Sequence, residues 1–193
     1  DWSIGFNADG ILSYVGNAFN GTNGNNSPSV NATDIGTIVW KRFKTDKNAD
    51  RITADFGVGS SKNGDNSSSS FNLLVGYGKE WRRGATRLQG FYGADALLGM
   101  SSNSNKQVNP GNTIEYKSGM SIGIGGQGFM GAEYFVLPKI SIGAQYNYSL
   151  IIQSSPKSKT TYTDGTPTLE GNANSSFGLS GVGTASMTIN LHF

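Results

Sequence analysis

The sequence contains no cysteine, five prolines and one histidine in 193 residues. The absence of cysteine excludes disulfide bonds, thiolate metal sites and cysteine nucleophiles. No apolar run approaches the roughly 18 residues of a transmembrane helix, so none is predicted. The net charge of +2 is too small to indicate nucleic-acid binding, and no cofactor motif is present. The first residues lack the charged and apolar regions of a signal peptide, so we expect a mature chain.

What the sequence does contain is alternation. Residues 177–193 place apolar or small side chains at odd positions and mostly polar or small ones at even positions. A period of two is that of a β-strand with one apolar and one polar face. Globular strands usually run to about 5–6 residues, whereas a tilted strand needs about 9–11 to cross a bilayer. The segment therefore predicts a membrane-spanning strand.

Seven further segments predict strands, and the direction of one is ambiguous. Six alternate clearly, at residues 2–15, 52–59, 71–78, 87–98, 120–134 and 140–150. In the seventh, residues 35–44, either Ile38 and Trp40 face outward with Arg42, or Val39 and Phe43 face outward with Lys41. Each choice places one cation on the lipid side near a strand end, where it can extend to the interface.

The connections between these strands alternate in length. Residues 16–33, 60–70, 101–115 and 152–175 form long polar connections, and residues 45–50, 82–85 and 136–138 form short ones. This pattern is typical of a membrane barrel with short periplasmic turns and long outer loops. In lipid every backbone polar group must be paired internally, so the sheet must close. We predict an all-β fold in one domain, residues 1–193: a closed eight-stranded antiparallel up-and-down transmembrane β-barrel with periplasmic termini.

The alternative is a soluble sandwich or lipocalin-like barrel, whose apolar face would point inward. The polar faces argue against it, because they carry mostly Gly, Ser, Asn and Gln rather than Lys and Glu. Aromatic residues at both ends of the apolar bands predict interface belts. They are Trp2, Phe43, Trp81, Phe135 and Phe193 on the turn side, and Tyr14, Phe71, Tyr148 and Phe177 on the loop side.

Three segments carry a resemblance to a known family: residues 84–95, 131–143 and 187–193. They resemble the small outer-membrane β-barrels of the OmpA/OmpX type, and more closely the porin-family β-barrel domain. The resemblance implies the outer membrane of a Gram-negative bacterium, with outer-membrane lipid and lipopolysaccharide as surroundings. It also implies recognition by the barrel-assembly machinery through Ile189, Leu191 and Phe193. No peptidoglycan-binding domain is expected after the barrel.

The polar faces also carry charges that are expected inside the lumen. They are Asp9, Asp55, Arg87, Asp95 and Glu133, together with Lys41 or Arg42, of which Arg42 is the predicted member. An isolated buried ion is costly, so we predict a charge network inside the lumen. In it Arg87, together with Arg42 or Lys41, meets Asp55, Asp95 and Glu133. It would act either as a gate in a pore or as a plug. Eight strands leave room only for side chains, which favours the plug.

Other cations cluster near the predicted turns and are interpreted as interface anchors. They are Lys41, Arg42, Lys44, Lys47, Arg51, Lys79, Arg82 and Arg83. The only histidine, His192, falls at the predicted periplasmic rim. A lipid-modifying enzyme would need histidine with serine or a carboxylate near the outer leaflet, and one histidine is not a metal-ligand set. No catalytic, cofactor or metal site is predicted.

These observations predict a non-enzymatic structural or accessory barrel that binds other outer-membrane or periplasmic proteins. A narrow channel or lipid conduit is the first alternative. The second is surface adhesion through the loops, for which residues 152–175 provide length but no recognisable ligand.

Overall fold

The computed structural model describes residues 1–8, 17, 37–84 and 86–193, and for residues 177–184 the backbone. Its strands are β1 (Trp2–Asn7), β2 (Thr37–Thr45), β3 (Asn48–Asn63), β4 (Asn66–Arg83), β5 (Leu88–Asn109), β6 (Asn112–Lys117), β7 (Ser121–Leu137), β8 (Ile140–Ser155), β9 (Lys159–Tyr162), β10 (Leu169–Glu170) and β11 (Asn174–His192). No helix in these ranges is long and apolar enough to cross a membrane.

Eight of the strands form a closed ring in the order β1, β2, β3, β4, β5, β7, β8 and β11. Every neighbouring pair is antiparallel, and β1 pairs with β11, where Ser3 lies opposite His192 and Asn7 opposite Thr188. Around the turn end, the described strands therefore form a ring without an unpaired edge, as a membrane-spanning sheet requires. The predicted closed antiparallel barrel is confirmed.

The outer surface of this ring is apolar. Large side chains that face outward include Phe56, Ile124 and Met130, which are 63%, 58% and 64% exposed. Phe91 and Phe129 point into the ring and are buried. Such a continuous apolar exterior would be costly in water, so lipid must cover it. The predicted alternation is confirmed, and the soluble alternative with an inward apolar face is wrong.

The register of β2 settles the ambiguous segment. Lys41 lies opposite Ser3 on one neighbour and Arg51 on the other, and all three are buried. Residues directly opposite each other share a face of the sheet, so Lys41 faces inward. Arg42, the next residue, therefore faces outward and is exposed. The assignment of Arg42 to the lumen is wrong, because side chains alternate across a strand.

The predicted long connections contain more strand than expected. β3 and β4 continue to a turn at Gly64–Asp65, where Gly64 has φ 62°. β5 continues to Asn109 and turns through Pro110–Gly111 into β6, with φ 83° at Gly111. Both glycines have the positive φ that tight hairpin turns favour. The prediction of loops at 60–70 and 101–115 is wrong, because serine and asparagine occupy both faces there and leave no period.

Strands β6, β9 and β10 extend the ring at the loop end. β6 pairs with β5 and β9, and β9 pairs with β10. We call β6, β9, β10 and the adjoining ends of β3, β4 and β5 the extension sheet. The opposite end, with turns at residues 46–47 and 138–139, is called the turn end. The predictions for residues 9–15, including Asp9 and Tyr14, for residues 16–33 except residue 17, and for the side chains of 177–184 lie outside the described residues.

Candidate functional site: the buried charge cluster

Three cations and three carboxylates lie inside the ring near the turn end, each at most 5% exposed. The six residues of this charge cluster are Lys41, Arg51, Glu80, Arg82, Asp95 and Glu133. Five neighbouring strands of the ring, β2 to β5 and β7, each contribute at least one of them. Alternation aligns the pair on β4, because Glu80 and Arg82 are two residues apart and so share a face.

Glu80 is at the centre of the positive charge. Lys41 Nζ lies 2.9 Å from Glu80 Oε2, and Arg51 Nη1 lies 3.6 Å from the same oxygen. Arg82 Nη1 is 3.6 Å from Glu80 Oε1. A carboxylate without access to water is tolerated only when charges of opposite sign surround it. Glu80 therefore depends on three strands for its neutralisation.

Glu133 binds to the side of the cluster that faces the turn end. Arg82 Nη2 lies 2.5 Å from Glu133 Oε2. The other carboxylate oxygen, Oε1, contacts His192 Nε2 at 2.9 Å and accepts a hydrogen bond from Asn190 Nδ2 at 3.1 Å. The Ser141 hydroxyl also donates to Oε1. These contacts occupy the acceptor sites of a carboxylate and fix Glu133 between β4, β8 and β11.

Asp95 and Arg51 face the opposite side, toward the loop end. Arg51 Nε lies 3.6 Å from Asp95 Oδ2, which accepts a hydrogen bond from Gln127 Nε2 at 3.0 Å. Arg51 Nη1 donates to Gln145 Oε1 at 2.7 Å. Uncharged amides thus contact both ions on this side of the cluster.

Aromatic rings fill the remaining cross-section. Lys41 Nζ lies 4.7 Å from the Phe91 ring centroid, and Arg51 Cζ lies 4.0 Å from that of Phe129. Cations over ring faces at these distances are attracted electrostatically. The two rings are 6.3 Å apart, so charge and aromatic surface together form a continuous layer.

The cluster separates two spaces. On the turn side is a pocket of about 380 Å³, whose lining includes Arg82, His192, Phe43 and Phe135. On the loop side is a cavity of about 280 Å³, whose lining includes Arg51. No residue lines both. The ions therefore lie between the two spaces, and we call this layer of ions and rings the partition.

Phe43 and Phe135 belong to this turn-side pocket rather than to an interface belt. Their ring centroids lie 5.9 and 4.8 Å from the imidazole of His192. Trp2, Trp81 and Phe193 are exposed, as a belt requires. The inward position of Phe43 follows from the register of β2, since Phe43 shares a face with Lys41.

The structure corrects three members of the predicted network. Asp95 and Glu133 lie in it as predicted, but Lys41 takes the place of Arg42. Arg87 is exposed, because it precedes β5 in the turn region and lies outside the ring.

Asp55 points inward but contacts no cation of the charge cluster. It accepts hydrogen bonds from Thr37 Oγ1 and Asn72 Nδ2, both at 3.2 Å. It lies too far toward the loop end of β3 to join the cluster.

Sequence reasoning missed Arg51, Glu80 and Arg82 as lumen residues. The interpretation of Arg51 and Arg82 as interface anchors is wrong, because both side chains are buried inside the ring although they lie near strand ends. Counting by two would have placed them inside: Arg51 shares the parity of Asp55, and Glu80 that of Gly76. This alternation becomes visible only if the strands are longer than predicted, because β3 begins at Asn48 and β4 ends at Arg83.

One group of contacts has the residue types of a catalytic triad: Ser141, His192 and Glu133. Ser141 Oγ lies 3.0 Å from His192 Nε2, and Glu133 Oε1 lies 2.9 Å from the same nitrogen. In a serine hydrolase the two partners bind opposite ring nitrogens, so that the base is oriented by one and acts on the other. Here one nitrogen serves both contacts and Ser141 is fully buried. The arrangement anchors Glu133. Among the described residues, no group of three potential ligands could hold a metal ion.

The two ends of the described chain pair with each other at the turn end. Phe193 N donates to Trp2 O at 2.9 Å, and the two rings stack at 4.2 Å. Leu191 and Ile189 lie opposite Ile4 and Phe6. These residues therefore close the ring. Their role as an assembly signal stays a prediction.

Comparison with solved structures finds similarity to two outer-membrane proteins at low sequence identity. The fold is similar to a major outer membrane protein from Thermus thermophilus, with 11% identity, a TM-score of 0.41, and 81% of this chain and 90% of that chain covered. A weaker likeness is to LpxR from Salmonella typhimurium, with 11% identity, a TM-score of 0.25, and 100% and 99% covered. No protein-family model matches, and curated proteins give no match. The class, a transmembrane β-barrel, follows from the closed ring and its apolar exterior.

Proposed function

We propose that this chain is a non-enzymatic barrel of the outer membrane of a Gram-negative bacterium, with a closed lumen and a structural or accessory role. In this role it binds other envelope proteins through its exterior and its ends. The observation that carries the proposal is the partition formed by the charge cluster. If the lumen is filled, the surfaces that remain for binding other proteins are the exterior of the barrel and its two ends.

The energetics of the partition support a plug over a gate. Each ion of the charge cluster lies within 4 Å of at least one opposite charge. Breaking such a buried pair leaves an uncompensated ion, which costs about 3–5 kcal/mol. Opening a path would break several pairs at once. The free-energy cost of opening a path for a solute is therefore far above the thermal energy, and a gate that opens spontaneously is not expected.

Planar bilayer recording of the purified protein tests this proposal. Insertion is verified first by the heat-induced shift of the barrel on detergent gels. We expect no steady conductance steps from inserted protein. Reproducible steps would overturn the plug and favour the narrow channel.

The accessory role has a separate test. The protein is extracted gently from native outer membranes and purified by an affinity tag, and proteins that accompany it are identified. A partner in constant stoichiometry is the expected result. Isolation of the barrel alone, at several detergent concentrations, would contradict an accessory role and leave an autonomous barrel.

The absence of enzymatic activity is part of the proposal. It is supported by the single nitrogen of His192 that serves both Ser141 and Glu133, and by the burial of the serine. The His192→Ala variant should leave lipid A modification in host membranes unchanged, as measured by mass spectrometry of the lipid. A clear loss of a modification would overturn this part.

The extension sheet favours surface recognition as a second candidate function. Its lumen-side face carries an uncharged cross-strand row: Ser61, Ser68, Asn105, Tyr116 and Thr160. The next row, on the opposite face, contains Lys62, Lys106 and Glu115. Hydroxyl and amide groups beside a half-exposed tyrosine suit a neutral, hydroxyl-rich ligand such as a surface glycan.

A glycan-binding screen with whole barrels tests this second function. The Asn105→Ala/Tyr116→Ala variant should lose binding, and the Lys106→Ala variant, altered on the opposite face, should keep it. Equal loss in both variants, or no binding by the unaltered protein, would contradict recognition through this face.

A further inference from the structure

Within the strands themselves, the outward charges at the turn end lie on three neighbours, whereas the exposed cations Lys47, Arg87 and Lys139 lie in the turns beyond the strands. Within the described residues these outward strand charges are Arg42 and Lys44 on β2, Asp50 on β3, and Lys79 and Arg83 on β4. Outward positions at the same end of the other strands are small or apolar: Ile4, Gly90, Ala94, Ala132, Tyr134, Ile140, Ile142, Ile189 and Leu191. A general attraction to the membrane surface would not require this concentration on one side. We call Arg42, Lys44, Asp50 and Lys79 the exterior patch.

The register places the members of the exterior patch side by side. Arg42 lies opposite Asp50, and Asp50 lies opposite Lys79. Neighbouring strands are about 4.8 Å apart, so the backbones of Arg42 and Lys79 are separated by roughly 10 Å. Both long side chains can therefore reach one group in front of Asp50.

The charges of the exterior patch do not balance. Lys44 Nζ lies 2.7 Å from Asp50 Oδ2 and neutralises that carboxylate. Arg42 and Lys79 have no ion-pair partner within the described part of the chain. In contrast, the three buried cations all contact carboxylates. The patch therefore presents two positive charges that the protein leaves available for an anion.

Aromatic side chains fix the depth of the exterior patch in the bilayer. On β4, Lys79 lies between the outward residues Tyr77 and Trp81, and Trp81 stacks on Tyr92 at 5.7 Å. On the other flank, Trp2 lies opposite Arg42 and stacks on Phe193. Tryptophan and tyrosine rings on a membrane protein lie at the level of the headgroups. The two cations are therefore at the depth of lipid phosphates.

We propose that the exterior patch binds the phosphate of an anionic phospholipid, with Arg42 and Lys79 contacting it from two sides. A guanidinium matches phosphate oxygens with paired donors, and an ammonium adds a compact charge. The aromatic pairs on either flank contact the glycerol and upper acyl region. A lipid fits this surface because the patch continues directly into the apolar exterior at Trp40 and Tyr77. The inference does not depend on the accessory role, since it concerns the lipid-facing wall alone.

Lipid retention by the full-length barrel tests the proposal. Protein is reconstituted with equal amounts of phosphatidylglycerol and phosphatidylcholine, re-extracted, and weighed with its bound lipid by native mass spectrometry. We expect phosphatidylglycerol to be retained preferentially. The Arg42→Gln/Lys79→Gln variant should reduce that retention about tenfold, because two basic contacts to an anionic headgroup are lost.

The loop end offers a matched control. The Lys62→Gln/Lys106→Gln variant removes the same charge from outward positions of β3 and β5 and should keep the preference. The Arg42→Lys/Lys79→Arg variant keeps both positive charges. It should retain phosphatidylglycerol as well as the unaltered protein does. The heat shift on gels verifies that each variant is folded, and retention is compared among folded protein only.

Three results would overturn the proposal. The first is an absence of lipid preference in the unaltered protein. The second is an equal loss in the patch variant and in the loop-end control, which would indicate general charge attraction. The third is that Arg42→Gln/Lys79→Gln leaves lipid retention unchanged but releases an acidic protein from barrels extracted from native membranes. That result would assign the exterior patch to a protein partner.

Discussion

Lys41 and Arg51 lie directly opposite each other on neighbouring strands inside the barrel, and the carboxylate of Glu80 lies within ion-pair distance of both. Like charges in facing positions of a sheet destabilise it. Here the third strand provides the compensating charge, so the register of β2, β3 and β4 and the charge pattern depend on each other. A slip of one residue would turn these side chains toward lipid.

Replacing Glu80 by glutamine tests this dependence. The variant leaves Lys41, Arg51 and Arg82 with one fewer carboxylate, and a broken buried pair costs about 3–5 kcal/mol. We expect a decrease of that size in the free energy of unfolding, measured by urea titration in lipid vesicles. The matched control is Glu170→Gln, whose pair with Lys157 is about half-exposed. Exposed pairs contribute about 0–1 kcal/mol. Equal effects of the two substitutions would contradict the importance of the cluster.

Removing the partition should open the lumen. The Glu80→Ala/Arg82→Ala variant deletes two long side chains between the turn-side pocket and the loop-side cavity. We expect conductance steps in planar bilayers where the unaltered barrel is silent. The control is Lys79→Ala/Arg83→Ala, which shortens the adjacent outward residues on β4 and should stay silent. A folded, inserted inner variant without conductance would show that other groups close the lumen.

His192 should contribute to stability through Glu133. Its replacement by alanine removes one contact to a fully buried carboxylate, and we expect unfolding to become easier by about 1–3 kcal/mol. The His192→Gln variant provides an amide donor at a similar position and should recover part of the loss. Chemical unfolding of the three proteins at one pH measures the difference. If alanine and glutamine have the same small effect, the histidine does not hold Glu133.

Replacement of Phe193 should impair assembly of the barrel. Its backbone and ring close the seam with Trp2. For Phe193→Ala we expect a smaller heat-modifiable fraction in isolated outer membranes, because closure of the last strand is impaired. Phe56→Ala, which removes a more exposed ring from the lipid-facing wall, is the control and should assemble normally. Normal assembly of both variants would contradict the predicted signal.

Alternation was a reliable guide wherever one face of a strand meets lipid. In β5, Leu88, Tyr92 and Leu98 face outward and Phe91 and Asp95 inward, as the sequence predicts. In β2 either orientation places one cation inside the barrel and one outside, so alternation alone did not distinguish the two orientations. The neighbouring strands decided it, because Lys41 had carboxylate partners inside the ring and Arg42 had none.

The same limit explains the missed members of the cluster. Arg51 and Arg82 lie near strand ends, where a cation that reaches the interface and one that turns inward have the same local sequence. Arg51 pairs with Glu80, 29 residues away in the chain, and the shortest contact of Arg82 is with Glu133, 51 residues away. At the loop end the pattern disappears for another reason: both faces of the extension sheet carry polar residues, and no bilayer imposes a difference between them.

The sequence by itself determined the class of the protein. A bilayer requires a closed sheet whose strands have one apolar face, and this requirement produces a sequence period of two. The sequence also determined the approximate strand number and the placement of the short turns. Only the tertiary structure decided which charges meet, the direction of β2 and the one-sided exterior patch. Those features depend on register between strands, and register is set by cross-strand pairing of residues that are distant in sequence.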